Sequence, residues 1–150
     1  MNARIATRPA LESDKAGIWQ LYQSALKAHI ETIWGWDEAW QADHFEQAWA
    51  AASTSVVEVD GRFAGYTQVD TGEREDYLRM LILLPEWRSH GVGAHLLGTI
   101  LEAARGNGRG LALRVFRTNG SARRFYEREG WQVVADEGDF LRMLPVGAGA

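Results

Sequence analysis

The feature that most constrains the fold is a buried strand followed at once by a glycine loop and an amphipathic helix. Apolar residues run almost without a break over residues 78–84, which is typical of a strand covered on both faces. Pro85 ends this run, since proline cannot donate a hydrogen bond to a neighbouring strand. The loop Arg88-x-x-Gly91-x-Gly93 follows, and apolar residues then recur at spacings of three and four. The pattern predicts a strand, a loop and a helix in direct succession.

This succession suits the binding of an anionic group. The first turn of a helix leaves backbone N–H groups unpaired and carries the positive end of the helix dipole. Glycines let a ligand come close to the backbone, because they have no Cβ atom. The loop is therefore predicted to bind phosphate, with Arg88 adding positive charge at its rim. The dinucleotide fingerprint and the Walker A loop are both absent, because the third glycine and the Gly-Lys-Ser/Thr triplet are missing.

The rest of the chain alternates between helical and strand patterns. Asp14 is predicted to cap a helix over residues 15–30, and Asp37 is predicted to cap a second helix after the break at Gly35. Asp60-Gly61 lies between two strand-like runs, which is typical of a hairpin turn. Three consecutive strands are therefore expected to form an antiparallel meander. Strands are predicted at residues 4–8, 55–59, 62–69, 78–84, 111–116, 131–135 and 140–144.

A second segment, residues 119–131, strengthens the interpretation of the glycine loop. It contains Asn119, Ala122, the pair Phe125-Tyr126, and Gly130-Trp131 in that order. Together with the loop it resembles the two signature motifs of the GNAT superfamily of N-acetyltransferases. The resemblance covers the chain from about Arg4 to Pro145. It implies an α/β fold with a mixed, mostly antiparallel central sheet, flanked by helices on both faces, in a single domain spanning residues 1–150.

The resemblance also implies the chemistry. It predicts an acetyl-CoA-dependent N-acetyltransferase that moves the acetyl group to the primary amine of a small or amino-acid-like acceptor. The central strand is expected to part from its neighbour, so that its backbone pairs with the pantetheine arm. Direct transfer in a ternary complex is expected, because the chain has no cysteine to form an acyl-enzyme. The predicted acetyl-CoA contacts are Leu81, Ile82, Leu83, Arg88, Ser89, His90, Gly91, Val92, Gly93, Ala94, Asn119 and Tyr126.

The sequence gives one candidate for the general acid and several for the general base. By resemblance, Tyr126 points at the sulfur and acts as the general acid, and an ordinary tyrosine keeps its proton at neutral pH. The base position of some family members corresponds to a region around Asp76 and Tyr77. Glu31 and Asp76 are therefore predicted as catalytic carboxylates. Glu38, His29, His44 and a water chain remain alternatives.

A tryptophan-rich segment is predicted to form the acceptor pocket. Residues 29–49 carry four of the seven tryptophans, around the break between the first two helices. An aromatic wall beside carboxylates suits a cationic amine, through cation–π contacts and ion pairing. Core packing of these tryptophans is the alternative. The predicted substrate-binding residues are Glu31, Trp34, Trp36, Glu38 and Trp40.

Composition limits the remaining functions. The net charge of −4 argues against nucleic-acid binding, although late arginines such as Arg114 could serve the phosphates of a nucleotide ligand. No apolar run is long enough to cross a membrane and the N-terminus lacks a signal-peptide core, so a cytoplasmic location is expected. No metal site is expected, and a homodimer is expected from the resemblance alone. Two rival functions stay open: a non-catalytic acyl-CoA-binding or regulatory module, and a peptide or protein N-terminal acetyltransferase.

Overall fold

A computed structural model describes residues 4–147 of the chain. Predictions that involve the three residues at either end, including the outer limits of the domain, lie outside the described residues. The described residues form seven strands, four α-helices and two short 3-10 turns, at Glu12–Asp14 and Pro85–Trp87. The elements are β1 (Ile5–Pro9), α1 (Lys15–Ile33), α2 (Glu38–Ala51), β2 (Ser53–Val59), β3 (Arg62–Asp70), β4 (Glu75–Leu83), α3 (Val92–Gly106), β5 (Gly110–Phe116), α4 (Gly120–Arg128), β6 (Trp131–Asp136) and β7 (Phe140–Pro145).

One mixed sheet contains all seven strands, in the order β1-β2-β3-β4-β5-β7-β6. Every neighbouring pair is antiparallel except β4 and β5, which are parallel. The predicted meander of β2, β3 and β4 is confirmed. Asp60 and Gly61 form its first turn with φ of 52° and 81°, as a two-residue hairpin requires.

The central pair of strands separates halfway along its length. β4 and β5 pair only from Glu75 with Gly110 to Leu78 with Leu113. Beyond that point β4 stays paired with β3, while β5 pairs with β7. Arg79 is the extra residue of a β-bulge at the start of the separation, because Gln68 pairs with Met80 and Val69 with Leu78. The predicted parting of the central strand from its neighbour is therefore present, and it leaves one edge of β4 unpaired.

Helices cover both faces of the sheet, as predicted. On one face α1 and α2 pack against β2, β3 and β4 through a cluster that includes Ile18, Phe45 and Tyr66. On the other face α3 and α4 pack through two further clusters, one centred on Leu97 and Leu113 and one on Val57, Val92 and Leu96. Two layers of helix therefore enclose the sheet.

The helix starts follow the sequence only in part. Asp37 caps α2 as predicted, since its side chain accepts a hydrogen bond from the Trp40 N–H at 3.0 Å. The prediction for Asp14 is wrong: its side chain makes no cap and instead binds the Arg8 guanidinium through both carboxylate oxygens, at 2.8 and 3.0 Å. Helix α1 also runs three residues further than predicted, to Ile33, before Gly35 turns the chain with φ of 80°.

Candidate active site

A cleft of about 1320 Å³ opens where β4 and β5 separate. Two groups of elements line it. We call the first the cofactor half, made of the end of β4, the loop Arg88–Gly93, the first residues of α3, and α4 with its cap. We call the second the acceptor half, made of side chains from α1, Trp34, α2, the middle of β4, β5 and β7.

The loop of the cofactor half is shaped by left-handed backbone. Ser89 has φ of 64° and Gly91 has φ of 80°. The first bond of α3 runs from the His95 N–H to the Gly91 carbonyl at 3.1 Å, so the N–H groups of the preceding helical residues have no intrahelical partner. Arg88 is tied to the end of β4, since its Nε donates to the Leu83 carbonyl at 3.1 Å. This arrangement can hold a phosphate group.

Gly93 has a packing role as well. A Cβ atom at this position would lie 3.2 Å from Cζ of Phe125 and 3.9 Å from a methyl carbon of Leu83. The absence of a side chain therefore lets α4 approach the start of α3. At Gly91 a Cβ would meet nothing within 4 Å, so backbone conformation and not space explains that glycine.

Helix α4 brings Asn119 and Tyr126 to the cleft. Asn119 caps the helix, because its side-chain oxygen accepts from the Ala122 N–H at 3.1 Å. Tyr126 is only 8% exposed and packs edge-on against Phe125 and Trp131, with ring centroids 5.0 and 6.2 Å away. Burial, and to a smaller extent Tyr77, raise the pKa of Tyr126 above its usual range. Its hydroxyl therefore stays protonated at neutral pH.

Aromatic rings close the far end of the acceptor half. Trp34 donates from Nε1 to the Asp139 carboxylate at 3.0 Å, although its side chain is 54% exposed. The same ring lies 5.8 Å from Phe116 and 5.7 Å from Phe140. The segment between α1 and α2 is thereby joined to the turn between β6 and β7.

Arginines and a tyrosine form the floor of the acceptor half. Tyr77, Arg79 and Arg114 lie on β4 and β5 around the point of separation, and all three line the cleft. Arg114 donates from Nε to the Tyr77 hydroxyl at 3.1 Å. Arg79 is held by the Asp70 carboxylate, at 3.0 Å from Nε and 2.9 Å from a terminal nitrogen.

Two histidines also line the acceptor half. His44 is stacked on Trp40, with ring centroids 4.9 Å apart. Burial, followed by the charge of Arg79, lowers the pKa of His44 below its usual 6.5, against a smaller opposing effect of Asp43. His29 lies 3.0 Å from the Thr118 hydroxyl through Nδ1. At neutral pH His44 is therefore an uncharged imidazole that can accept a proton.

Most of the predicted acetyl-CoA contacts line the cleft, whereas three of the five predicted acceptor residues do not. The side chain of Val92 is buried in the core and that of His90 is exposed, and neither is part of the lining. The predicted residues that line the cleft are Leu81, Ile82, Leu83, Arg88, Ser89, Gly91, Gly93, Ala94, Asn119 and Tyr126, with Trp34 and Trp40.

The three predicted carboxylates need correction. Asp76 is buried but lies outside the lining, and Nε of Arg109 binds its carboxylate at 2.6 Å. Glu31 is exposed on α1 and also lies outside the lining. Glu38 is turned to the indole N–H of Trp36. None of these carboxylates faces the cleft, so we do not retain them as base or acceptor ligands.

Trp36 is likewise a packing residue. It lies 6.2 Å from Trp19 and 6.4 Å from Tyr22 in an aromatic cluster between α1 and α2. The Lys27 ammonium group lies 5.3 Å from the centre of its ring. The alternative of core packing therefore describes this tryptophan.

Sequence reasoning missed several side chains of the acceptor half. Arg114, which the sequence suggested only for the phosphates of a nucleotide ligand, carried a usable signal, because it alternates with the buried Leu113 and Val115 and so faces the opposite side of the sheet. Arg79 carried a weaker one, because it lies at the bulge, where the alternation breaks. Phe116 and Phe140 carried none, because an aromatic residue at a strand end is as typical of core packing as of a pocket.

Neither a membrane span nor a metal centre is found within residues 4–147. No helix there is long and apolar enough to cross a bilayer. In the same range, no three histidine or acidic side chains come together as metal ligands.

The fold and the cleft point to one class of protein, the acyltransferases that use acetyl-CoA. The chain belongs to the acetyltransferase (GNAT) family, whose family model matches residues 16–131. The suspected resemblance and the predicted fold class are therefore confirmed. The features of the cofactor half fit this co-substrate, since free N–H groups and Arg88 face the cleft beside an unpaired strand edge.

Several known proteins are similar. A curated relative from Archaeoglobus fulgidus, described as an uncharacterized N-acetyltransferase, is 42% identical over 79 residues, which cover 47% of this chain and 54% of the relative. The chain thus matches about half the length of that relative. The solved PaiA N-acetyltransferase from Thermoplasma acidophilum, in complex with coenzyme A, has a TM-score of 0.76 at 17% identity, over 95% of this chain and 98% of that chain.

A third similar protein carries a peptide-bearing ligand. Naa50 from Arabidopsis thaliana, in complex with the bisubstrate analogue CoA-Ac-MVNAL, has a TM-score of 0.65 at 15% identity. The match covers 93% of this chain and 96% of that chain. At these identities the two structures show a shared fold and no more.

Proposed function

We propose that this chain is an acetyl-CoA-dependent N-acetyltransferase that moves an acetyl group directly to the primary amine of a small or amino-acid-like acceptor. The observation that carries the proposal is the separation of β4 from β5 after Leu78 and Leu113. It leaves an unpaired strand edge inside a cleft whose wall contains a buried, protonated Tyr126. One catalytic domain would carry out this reaction.

Backbone groups make most of the proposed contacts to acetyl-CoA. The unpaired edge of β4 at Leu81, Ile82 and Leu83 pairs with the pantetheine arm as an added strand would. A main-chain N–H near Leu81 or Ile82 also polarises the thioester carbonyl. The free N–H groups at the start of α3 bind the pyrophosphate, and Val92 contributes only through its backbone. Asn119 already caps α4 through its oxygen, so its amide N–H₂ is the part left for the co-substrate.

Tyr126 is the proposed proton donor. A C–N bond forms as the C–S bond of the thioester breaks, and the sulfur leaves with an electron pair that needs a proton. The raised pKa of Tyr126 makes it a weak acid by itself. The same dry surroundings also make a thiolate more basic than it is in water, so hydrogen-bond donation from Tyr126 stabilises the leaving sulfur.

The amine must lose a proton to become an amide. The lining of the cleft offers His44 as an uncharged imidazole, and water in the open cleft is the second route. No carboxylate predicted from the sequence remains for this step. Direct transfer is part of the proposal, because the chain has no cysteine to form a thioester acyl-enzyme.

A peptide acceptor is the second candidate. The Arabidopsis protein, which has the same fold, is in complex with a peptide-bearing analogue, and this supports a peptide acceptor. Against it, Trp34 at the far end of the acceptor half is held by its hydrogen bond to Asp139 and by the rings of Phe116 and Phe140, which narrows the space for a longer acceptor. We therefore favour a small acceptor.

The test combines acetyl-CoA calorimetry with a thiol-release assay over small amines, amino acids and short peptides. Binding together with thiol release for one acceptor class is the expected result. Tyr126→Phe should lower kcat by about a hundredfold while acetyl-CoA affinity stays the same.

Tyr66→Phe is the matched control for this experiment. Tyr66 is fully buried, its hydroxyl has no partner among the described residues, and it does not line the cleft. Its loss should leave turnover unchanged. Acetyl-CoA binding without turnover of any amine would instead favour a non-catalytic binding module, and no binding at all would refute the proposal.

A further inference from the structure

We propose that the acceptor carries an anionic group, such as a carboxylate, close to the amine that is acetylated, and that Arg114 binds this group. The inference rests on the proposed function and narrows its substrate class. It replaces the sequence-based picture of a cationic acceptor held by carboxylates.

The charge of the cleft is the first observation. Among the described residues, five arginines and one glutamate line it. Three of the arginines, on the loop and on α4, belong to the cofactor half, where the phosphates of acetyl-CoA need them. Arg79 and Arg114 belong to the acceptor half, and the glutamate, Glu129, lies at the end of α4. A positively charged pocket repels an acceptor with additional cationic groups and attracts one with an anion.

The position of Arg114 is the second observation. It lies on β5 one residue after Leu113, the last residue that pairs with β4. Its guanidinium carbon is 4.8 Å from the centre of the Phe140 ring and 5.5 Å from that of Tyr77. The Tyr77 hydroxyl accepts from Nε at 3.1 Å. Two aromatic faces and one hydrogen bond therefore fix the plane of the guanidinium group at the point where the cleft opens.

The remaining N–H groups of Arg114 are available to a ligand. The nearest carboxylate, Glu137, is 3.7 Å away from one terminal nitrogen, and both side chains are about two-fifths exposed, at 41% and 40%. Such a long, exposed contact is weak. A planar guanidinium with a free edge binds a carboxylate through two parallel hydrogen bonds. An amino acid that presented its carboxylate here would hold its amine within the cleft.

Arg79 is the poorer candidate for this role. Asp70 binds both Nε and a terminal nitrogen of Arg79, at 3.0 and 2.9 Å. Asp70 therefore compensates the charge of Arg79 at close range, while Arg114 has only the longer contact to Glu137. Arg79 is therefore expected to attract the anion only weakly and at long range, without a direct hydrogen bond.

The test compares matched acceptors that differ only in the anionic group, namely amino acids and their carboxamides. The wild-type protein should acetylate the carboxylate form with a kcat/KM at least about tenfold higher. Arg114→Gln should lower kcat/KM for the carboxylate form by about tenfold to a hundredfold, mainly through KM, and leave the carboxamide form unchanged. Arg114→Lys should retain part of the preference, since it keeps the charge but loses the bidentate geometry.

Arg123→Gln is the matched control, because Arg123 is exposed on α4, pairs with Glu127 and does not line the cleft. Equal or better turnover of the carboxamides by the wild-type protein would overturn the inference while leaving the proposed function standing. Equal losses for both acceptor forms in Arg114→Gln would reduce Arg114 to a structural residue.

A binding measurement covers the case in which no amine in the panel is acetylated. Calorimetry with N-acetylated amino acids and their carboxamides, on protein saturated with coenzyme A, tests the anion site without turnover. Tighter binding of the carboxylates, lost in Arg114→Gln, would support the inference even though the proposed function had failed. No preference for the carboxylates would overturn it.

Discussion

The cofactor half and the acceptor half of the cleft differ in the groups that form them, which are backbone groups in the first and side chains in the second. The cofactor half relies on backbone: unpaired N–H groups at the start of α3, left-handed φ at Ser89 and Gly91, and the free edge of β4. The acceptor half relies on side chains from distant parts of the chain, among them Trp34, His44 and Arg114. Backbone groups are the same whatever the sequence, so the first half can be shared across a family. The second half is the part that we propose sets which amine is accepted.

The largest effect is expected from a change that damages the backbone-built half. Gly93→Val places branched carbon where a Cβ alone would already lie 3.2 Å from Phe125. We expect a loss of about 2 kcal/mol in the free energy of unfolding, typical of an overpacked contact. Acetyl-CoA affinity should fall with it, as measured by calorimetry.

Gly98→Val is the matched control for this change. Gly98 lies on the same helix, and a Cβ there would meet nothing within 4 Å. It shares the helix-propensity cost of valine without the clash. Equal losses in the two variants would mean that the contact between α3 and α4 does not shape the cofactor half.

A smaller and more selective effect is expected from Trp34→Ala. This change removes the aromatic contacts to Phe116 and Phe140 and the hydrogen bond to Asp139. The KM for the acceptor should rise by about tenfold, the usual cost of losing one well-placed aromatic contact, with acetyl-CoA affinity unchanged. Trp34→Phe keeps an aromatic ring but loses the hydrogen bond, so its acceptor KM should lie between those of the wild-type protein and Trp34→Ala. A larger shift in acetyl-CoA affinity than in acceptor KM would show that the two halves do not act separately.

His44→Gln should change the pH profile more than the maximal rate. The pKa of His44 lies below 6.5, so its imidazole is uncharged at neutral pH and gains a proton only as the pH falls. The wild-type kcat/KM should therefore hold to below pH 6.5 and then drop, and the variant should lack that drop. The rate loss near pH 7 should be on the order of fivefold, because water also accepts the proton. His95→Gln, exposed on α3, is the control, and an acidic limb that persists in His44→Gln would exclude this histidine.

The same contrast explains what the sequence could predict. The loop Arg88–Gly93 is local, so its spacing alone predicts a helix start directly after a buried strand, whereas the position of Tyr126 was predicted through the resemblance. Which side chains of α1 reach the acceptor half depends on the rotational orientation of this helix. Core contacts that involve residues such as Ile18 and Phe45 set that orientation.

Two errors follow from that dependence. Glu31 ends up on an exposed side of α1, and Trp36 joins Trp19 and Tyr22 instead of the pocket. Helical spacing identifies the buried stripe of a helix but does not say which neighbouring residues will face a cleft. The parting of β4 and β5 was expected only through the resemblance, because no feature of the two strand sequences states where their pairing stops.

The smallest effect is expected outside both halves, at the ion pair between Arg8 and Asp14. The Arg8 guanidinium, followed by the Leu11 N–H, lowers the pKa of Asp14 from 3.8 to about 2. A depressed carboxyl pKa stabilises the fold above the unfolded value near 4, and this stabilisation is lost as the pH falls towards 2. Asp14→Asn should therefore cost about 1 kcal/mol at neutral pH, reduced by solvent screening because the Arg8 side chain is 37% exposed. Thermal unfolding at pH 7 and pH 2 should show the difference at the higher pH only, with acetyl-CoA affinity and acceptor KM unchanged. A loss of equal size at both pH values would assign the effect to packing, and a change in either binding constant would mean that this pair, too, helps to shape the cleft.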